Sequence, residues 1–217
     1  IVFIGEKGNS EKGIKIIELN NLDDLEKLNI NTNGFQKLNH VHEKWTKYFT
    51  TIKENELITH LKKDGRFQKL SDTGVINVGI TTGNNKYFSV DQDTVHDYDL
   101  SAVVHPLIGR SSHAHSIYFY KEDWQKNVAQ GKAAYLIDFP DISIEEYTPG
   151  QRSYIGLGEK NGENKGYKCK IRERWYRIPS IWIPDAFFLR RNNLYPKFVL
   201  NCCDAVSTDT MHRVKFN

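Results

Sequence analysis

Lys168, Lys170, Arg172 and Arg174 alternate through the segment Lys165-Gly-Tyr-Lys-Cys-Lys-Ile-Arg-Glu-Arg-Trp-Tyr-Arg177. In a β-strand, a period of two projects all four cations from one face and leaves Cys169, Ile171, Glu173 and Trp175 on the other. Cations repeating at about 7 Å suit the regular charges of a polyanion. The same row would equally serve a solvated edge strand whose charges discourage association. Both readings stand on this segment alone.

A second candidate is Gly79-Ile-Thr-Thr-Gly-Asn-Asn-Lys-Tyr-Phe88, with two hydroxyls, two amides and a cation around two glycines. A nucleotide phosphate loop needs Gly-x4-Gly-Lys-Ser/Thr, and this spacing does not supply it. An ordinary turn is one reading, because Gly-Asn-Asn is strong turn chemistry. A loop offering Thr82, Asn84, Asn85 and Lys86 to phosphates or base edges is the other.

The histidines include two His-x-His pairs, His40/His42 and His113/His115. Neither has further ligands at a diagnostic zinc spacing, so no metal site is expected. His113 reads better with Arg110 and Ser111 as a polar binding loop. No nucleophile elbow, dinucleotide fingerprint or catalytic spacing is present, so no catalytic residue is assigned. Asp138 and Asp141 read as turn residues. The block Ser207-Thr-Asp-Thr-Met-His-Arg-Val-Lys-Phe216 reads as a polar turn leading into an alternating strand.

The elements that position these groups change character along the chain. Residues 1–4 and 14–19 are apolar runs separated by glycines and read as a hairpin. Asn21 opens a short helix, and residues 40–62 carry helical stripes such as Trp45, Tyr48, Phe49 and Ile52. From residue 67 onward, short β-type runs alternate with turns. Strands are expected at 75–80, 87–90, 102–104, 117–120, 133–139, 154–157, 167–176, 186–189, 198–200 and 213–216, with a helical interruption at 122–130. The fold class is therefore α+β: an irregular, mostly β body over 67–217 and helices on the amino-terminal side, 1–66.

The 217 residues are 39% hydrophobic, enough for a packed core. Net charge is only +3, but residues 165–217 carry eleven Lys and Arg against four acidic residues. Such asymmetry points to a nucleic acid or another acidic partner. Three cysteines without a CxxC pair, and no signal-like or membrane-length apolar run, suggest a reducing, cytoplasmic setting with no membrane partner. A first residue Ile1 inside a strand-like run suggests a piece of a longer polypeptide.

Four segments then occur in one order: Gly79–Phe88, Arg172-Glu-Arg-Trp-Tyr-Arg-Ile-Pro179, Trp182-Ile-Pro-Asp-Ala-Phe-Phe-Leu-Arg190 and Ser207–Val214. The series resembles the carboxy-terminal target-recognition region of gamma-class N6-adenine DNA methyltransferases of restriction–modification systems. It covers roughly 67–217, which leaves 1–66 as the end of a catalytic domain and a helical connector. The family's Asn/Asp-Pro-Pro-aromatic catalytic loop is not in this sequence. The resemblance therefore implies a fragment that grips and reads double-stranded DNA, without a cofactor of its own. The missing amino-terminal methyltransferase domain would use S-adenosylmethionine to methylate a flipped adenine. On this reading Lys168, Lys170, Arg172, Arg174, Arg177 and Arg213 neutralise phosphates. Thr82, Asn84, Asn85, Lys86, Arg110, Ser111 and His113 are the candidates for base edges, and Trp175 and Trp182 belong to the core. Two alternatives remain. One is a metal-dependent nuclease module using Asp138, Asp141 and Asp209. The other is a protein-interaction module whose basic strand docks on an acidic partner.

Overall fold

The computed structural model describes residues 13–29, 34–37, 44–192 and 194–217. They fall into two compact units, Ile1–Gln68 and Lys69–Asn217. In the first unit, helix α1 spans Asp23–Glu26 and α2 spans Ile52–Lys63. As expected, Asn21 opens α1, its Oδ1 accepting the Asp24 N–H at 3.1 Å. Thr51 caps α2 reciprocally: its hydroxyl accepts the Glu54 N–H at 3.3 Å, and the Glu54 carboxylate accepts the Thr51 N–H at 2.6 Å. These bonds hold the Glu54 carboxyl below its ordinary range. Of the segment 14–19 expected in a hairpin, Ile14 bridges Gln36. Residues 1–4, like His40 and His42, lie outside the described residues.

The second unit opens with strand β1, Gly74–Asn77, followed by helix α3, Asn85–Phe88, and strand β2, Ser89–Val90. Helix α4 (Gln92–Asp97), strands β3 (Val104–Ile108) and β4 (Tyr118–Tyr120), helix α5 (Lys121–Ala129) and strand β5 (Tyr135–Ile137) come next. Helices α6 (Pro149–Asn161) and α7 (Tyr167–Lys170) precede strands β6 (Ala186–Leu189), β7 (Phe198–Cys202), β8 (Val206–Ser207) and β9 (Met211–Phe216). Two mixed sheets result, ordered β1-β9-β6-β7-β4 and β2-β5-β3-β8. The class is α+β, as the sequence indicated.

Four expected strands are wholly or partly helical: in 102–104 only Val104 is strand, Ala102 and Val103 lying in a 3-10 turn, and the other three have local reasons. Residues 154–157 lie in α6, which Pro149 starts at a position needing no N–H and Thr148 caps by accepting the Gln151 N–H at 3.3 Å. Tyr87 and Phe88 close α3, which Asn84 caps through the Lys86 N–H at 3.0 Å. The basic segment 167–176 is a helical turn followed by irregular turns. Its buried positions are Cys169 and Tyr176, while Ile171 is 62% exposed. The one-in-two burial that a half-buried strand requires is therefore absent.

The larger core packs α6 and the aromatic residues after α7 against the four-stranded sheet. Tyr87 stacks on Tyr154 at 4.7 Å and meets Trp175 at 5.2 Å, and each tyrosine hydroxyl donates to the other's backbone carbonyl, at 3.1 and 2.7 Å. Burial pushes both phenols above the ordinary tyrosine range. Gly158 makes the contact fit, since a Cβ there would overlap the rings of Trp175 and Tyr87. A smaller core of Ile108, Phe119, Phe187, Val199 and Met211 packs on the five-stranded sheet. Full burial of a side chain such as Phe88 or Phe187 contributes about 1.5–3 kcal/mol.

Candidate functional site

Four loops distant in sequence are tied together on one part of the second unit. The passage from β1 to α3 is the first. Ile80 N–H donates to the Ser207 carbonyl at 2.8 Å and Ile80 bridges Thr208 in parallel. Gly79 permits this approach, because a Cβ would collide with the Thr208 and Met211 carbonyls. Gly83, at φ +90°, turns the loop over α7, where a Cβ would meet Cys169 Sγ and Lys168 Cβ at 3.0 Å. Arg172 closes the same loop by donating to the Thr81 carbonyl at 3.0 Å.

The turn between β8 and β9 is the second loop. Asp209 accepts from Asn85 Nδ2 at 3.1 Å, and its carbonyl accepts from Arg190 at 3.4 Å. The Thr210 hydroxyl donates to the Gly109 carbonyl at 3.0 Å, which joins the third loop, 109–115. There the Gly109 N–H donates to His113 Nδ1 at 3.3 Å. Burial, with the positive charges of Lys132, Arg110 and His115, lowers the His113 pKa to about 4, so its imidazole is neutral at pH 7 with the proton on Nε2. The segment 168–172 is the fourth.

Several assignments change on this geometry. Lys168 and Lys170 are exposed, but they sit on a helical turn rather than a strand face. Arg172 and Arg174 follow in the irregular turns after it. Arg174 and Arg177 both reach the Asp141 carboxylate, at 3.1 and 2.7 Å, and Arg174 also donates to the Ile142 carbonyl. They pin the 138–142 loop instead of standing free. Arg213 is only 7% exposed; it donates to the Val78 and Ser180 carbonyls at 3.1 and 2.8 Å and stacks on Trp182 at 4.5 Å. Such burial rules out a phosphate contact for Arg213, and desolvation lowers its pKa.

Among the expected base readers, Thr82 is 2% exposed and donates to Asn85 Oδ1 at 2.6 Å. Asn85 thus has both ends of its amide engaged. Asn84 caps α3 with its oxygen and donates its amide to Glu163. Thr82 is buried and Asn84 half-buried, so these two shape the loop more than they face out of it, whereas Asn85 is exposed. Lys86, Arg110 and Ser111 are exposed. His113 is buried in the loop base. Sequence reasoning passed over Arg190 and Arg191, exposed at the end of β6; adjacent arginines closing a strand were the available signal. It also gave Asp209 no part in linking the loops, which no local pattern reveals.

The carboxylates of the nuclease alternative do not assemble. Asp138 meets His105 at 3.0 Å, Asp141 binds two arginines, and Asp209 holds Asn85. Among the described residues no group of three His, Cys, Asp or Glu side chains is placed to share a metal ion. No described helix is long and apolar enough to cross a membrane. For S-adenosylmethionine, the passage from strand through glycine turn to helix that resembles a cofactor loop is β1 to α3. It leaves an antiparallel strand and opens a helix of four residues, which does not fit that cofactor.

Residues 42–217 match the family described as type II methyltransferase M.Eco57I, C-terminal domain. Nothing among curated proteins matches the chain.

Proposed function

The chain belongs to the family of the C-terminal domain of type II methyltransferase M.Eco57I, and on that basis we propose that it holds duplex DNA and reads its target sequence for an N6-adenine methyltransferase. The observation that carries this reading is the hydrogen-bonded convergence of the 79–86, 109–115, 168–172 and 207–210 loops. Lys86, Arg110, Lys168, Lys170, Arg190 and Arg191 are exposed around it, and none pairs with a carboxylate among the described residues. Unpaired cations on cross-braced loops suit phosphates and base edges together.

Adenine methylation itself belongs to a separate catalytic part of the parent enzyme, where S-adenosylmethionine would bind. This chain supplies grip and sequence choice. Lys168, Lys170 and Arg191 are assigned to the backbone, and Lys86 and Arg190 to base edges.

Fluorescence anisotropy with labelled duplex pools over a salt series tests the proposal. Contact with about four to six phosphates gives a slope of log K against log salt near −4 to −5. Failure to bind any duplex at low salt overturns it.

A further inference from the structure

We propose that the Gly109–His115 loop and Lys132 form a pocket for one backbone phosphate of bound DNA. The inference rests on the duplex-binding reading and assigns Arg110, Ser111 and His113 to grip instead of base readout.

The pocket is built from donors. His113 Nδ1 is occupied by the Gly109 N–H, which leaves Nε2 as a donor. Arg110, Ser111, Ser112 and His115 are exposed beside it. Lys132 is drawn in from the turn ahead of β5: its ammonium donates to Asn127 Oδ1 at 2.8 Å, and Asn127 donates to the His113 carbonyl at 3.1 Å. Asn127 is 2% exposed, so this strut is fixed in the interior. The loop is held from its other side by Thr210 on the Gly109 carbonyl.

The charged groups acting on His113 are Lys132, Arg110 and His115, all positive or able to become so. The permanent positive charges of Lys132 and Arg110 beside one imidazole repel each other, and an anion relieves that repulsion. A guanine edge presents two acceptors to a single arginine but carries no net charge. A phosphate brings both charge and several acceptor oxygens. The geometry therefore fits a phosphate better than a base.

The test uses the whole chain, its Arg110→Gln and Lys132→Gln variants, and a panel of labelled duplexes of differing sequence. Each variant is expected to weaken every duplex alike, about 3–10-fold, and to reduce the steepness of the salt slope by about one. A changed preference at one base position with an unaltered slope overturns the inference, as does unchanged affinity in Arg110→Gln. Lys132→Gln breaks a buried strut, so the exposed Arg110→Gln decides the outcome should the other variant unfold. If the wild-type chain binds no duplex, the functional reading fails separately. The pocket is then judged with inorganic phosphate: saturable shifts of the His113 and His115 ring resonances support it, and their absence overturns it.

Discussion

Asn85 donates its side-chain amide to the Asp209 carboxylate at 3.1 Å across 124 residues of chain. The bond fastens the β1–α3 loop to the β8–β9 turn, and Thr82 completes it from behind through Asn85 Oδ1. Replacing Asp209 by Ala is expected to reduce stability by only about 0.5–1.5 kcal/mol, the usual worth of one partly exposed hydrogen bond. Its larger effect is on sequence choice, because the loop bearing Lys86 loses its brace. Selection from a randomised duplex library should return a broader consensus for Asp209→Ala than for the wild type. An unchanged consensus would mean that the brace plays no part in readout.

Arg213 separates burial from DNA contact. Arg213→Ala strands the Val78 and Ser180 carbonyls and bares Trp182, so urea unfolding should register a loss of about 2–4 kcal/mol. Arg213→Lys should recover only part of it, since an ammonium cannot reproduce the planar fork. For whatever fraction stays folded, the salt slope of duplex binding should match the wild type.

Lys168 and Lys170 should behave oppositely. Changing both to Gln leaves stability within about 0.5 kcal/mol, because these exposed lysines pair with no carboxylate and the Lys168 ammonium meets only the exposed Tyr167 ring. The salt slope should fall by about one for each phosphate contact removed. Arg174→Gln, by contrast, should lower stability through Asp141 and Ile142 and leave the slope alone. The same salt series read beside thermal melts distinguishes the two classes.

His113 gives a pH signature. Its folded pKa, about 4, lies below the value near 6.5 of an unfolded histidine, so the folded state favours the neutral ring. Its contribution to stability is complete above about pH 6.5, declines as pH falls toward 4, and changes no further below that. The urea midpoint should therefore drop between pH 6.5 and 4 in the wild type. His113→Asn, whose amide oxygen can still accept the Gly109 N–H, should flatten that drop.

Gly158 tests the packing beneath α7. A methyl group there meets the Trp175 and Tyr87 rings, and overpacking of this kind costs about 1–3 kcal/mol. Gly158→Ala should shift the near-ultraviolet circular dichroism of the aromatic cluster and lower the melting temperature together.

Residue types and their order were enough for the fold class and for most of the loops that matter. Short apolar runs at 186–189 and 198–200 and alternation in 213–216 marked β6, β7 and β9, and turn chemistry separated them. The Gly79–Phe88 and Ser207–Val214 blocks announced themselves by residue type. Local pattern failed where tertiary context outweighed it. The alternating cations of 168–174 looked like a strand, yet Cys169 is anchored under Gly83 and the chain turns helically around that anchor. Tertiary structure alone divided the arginines into struts and free charges, because a guanidinium is equally at home on a buried carbonyl or a phosphate. Arg174, Arg177 and Arg213 found internal partners, while Lys168, Lys170 and Arg191 found no carboxylate among the described residues. Only the folded chain could also bring Asn85 to Asp209 and Thr210 to Gly109, since no periodicity encodes which distant loops meet.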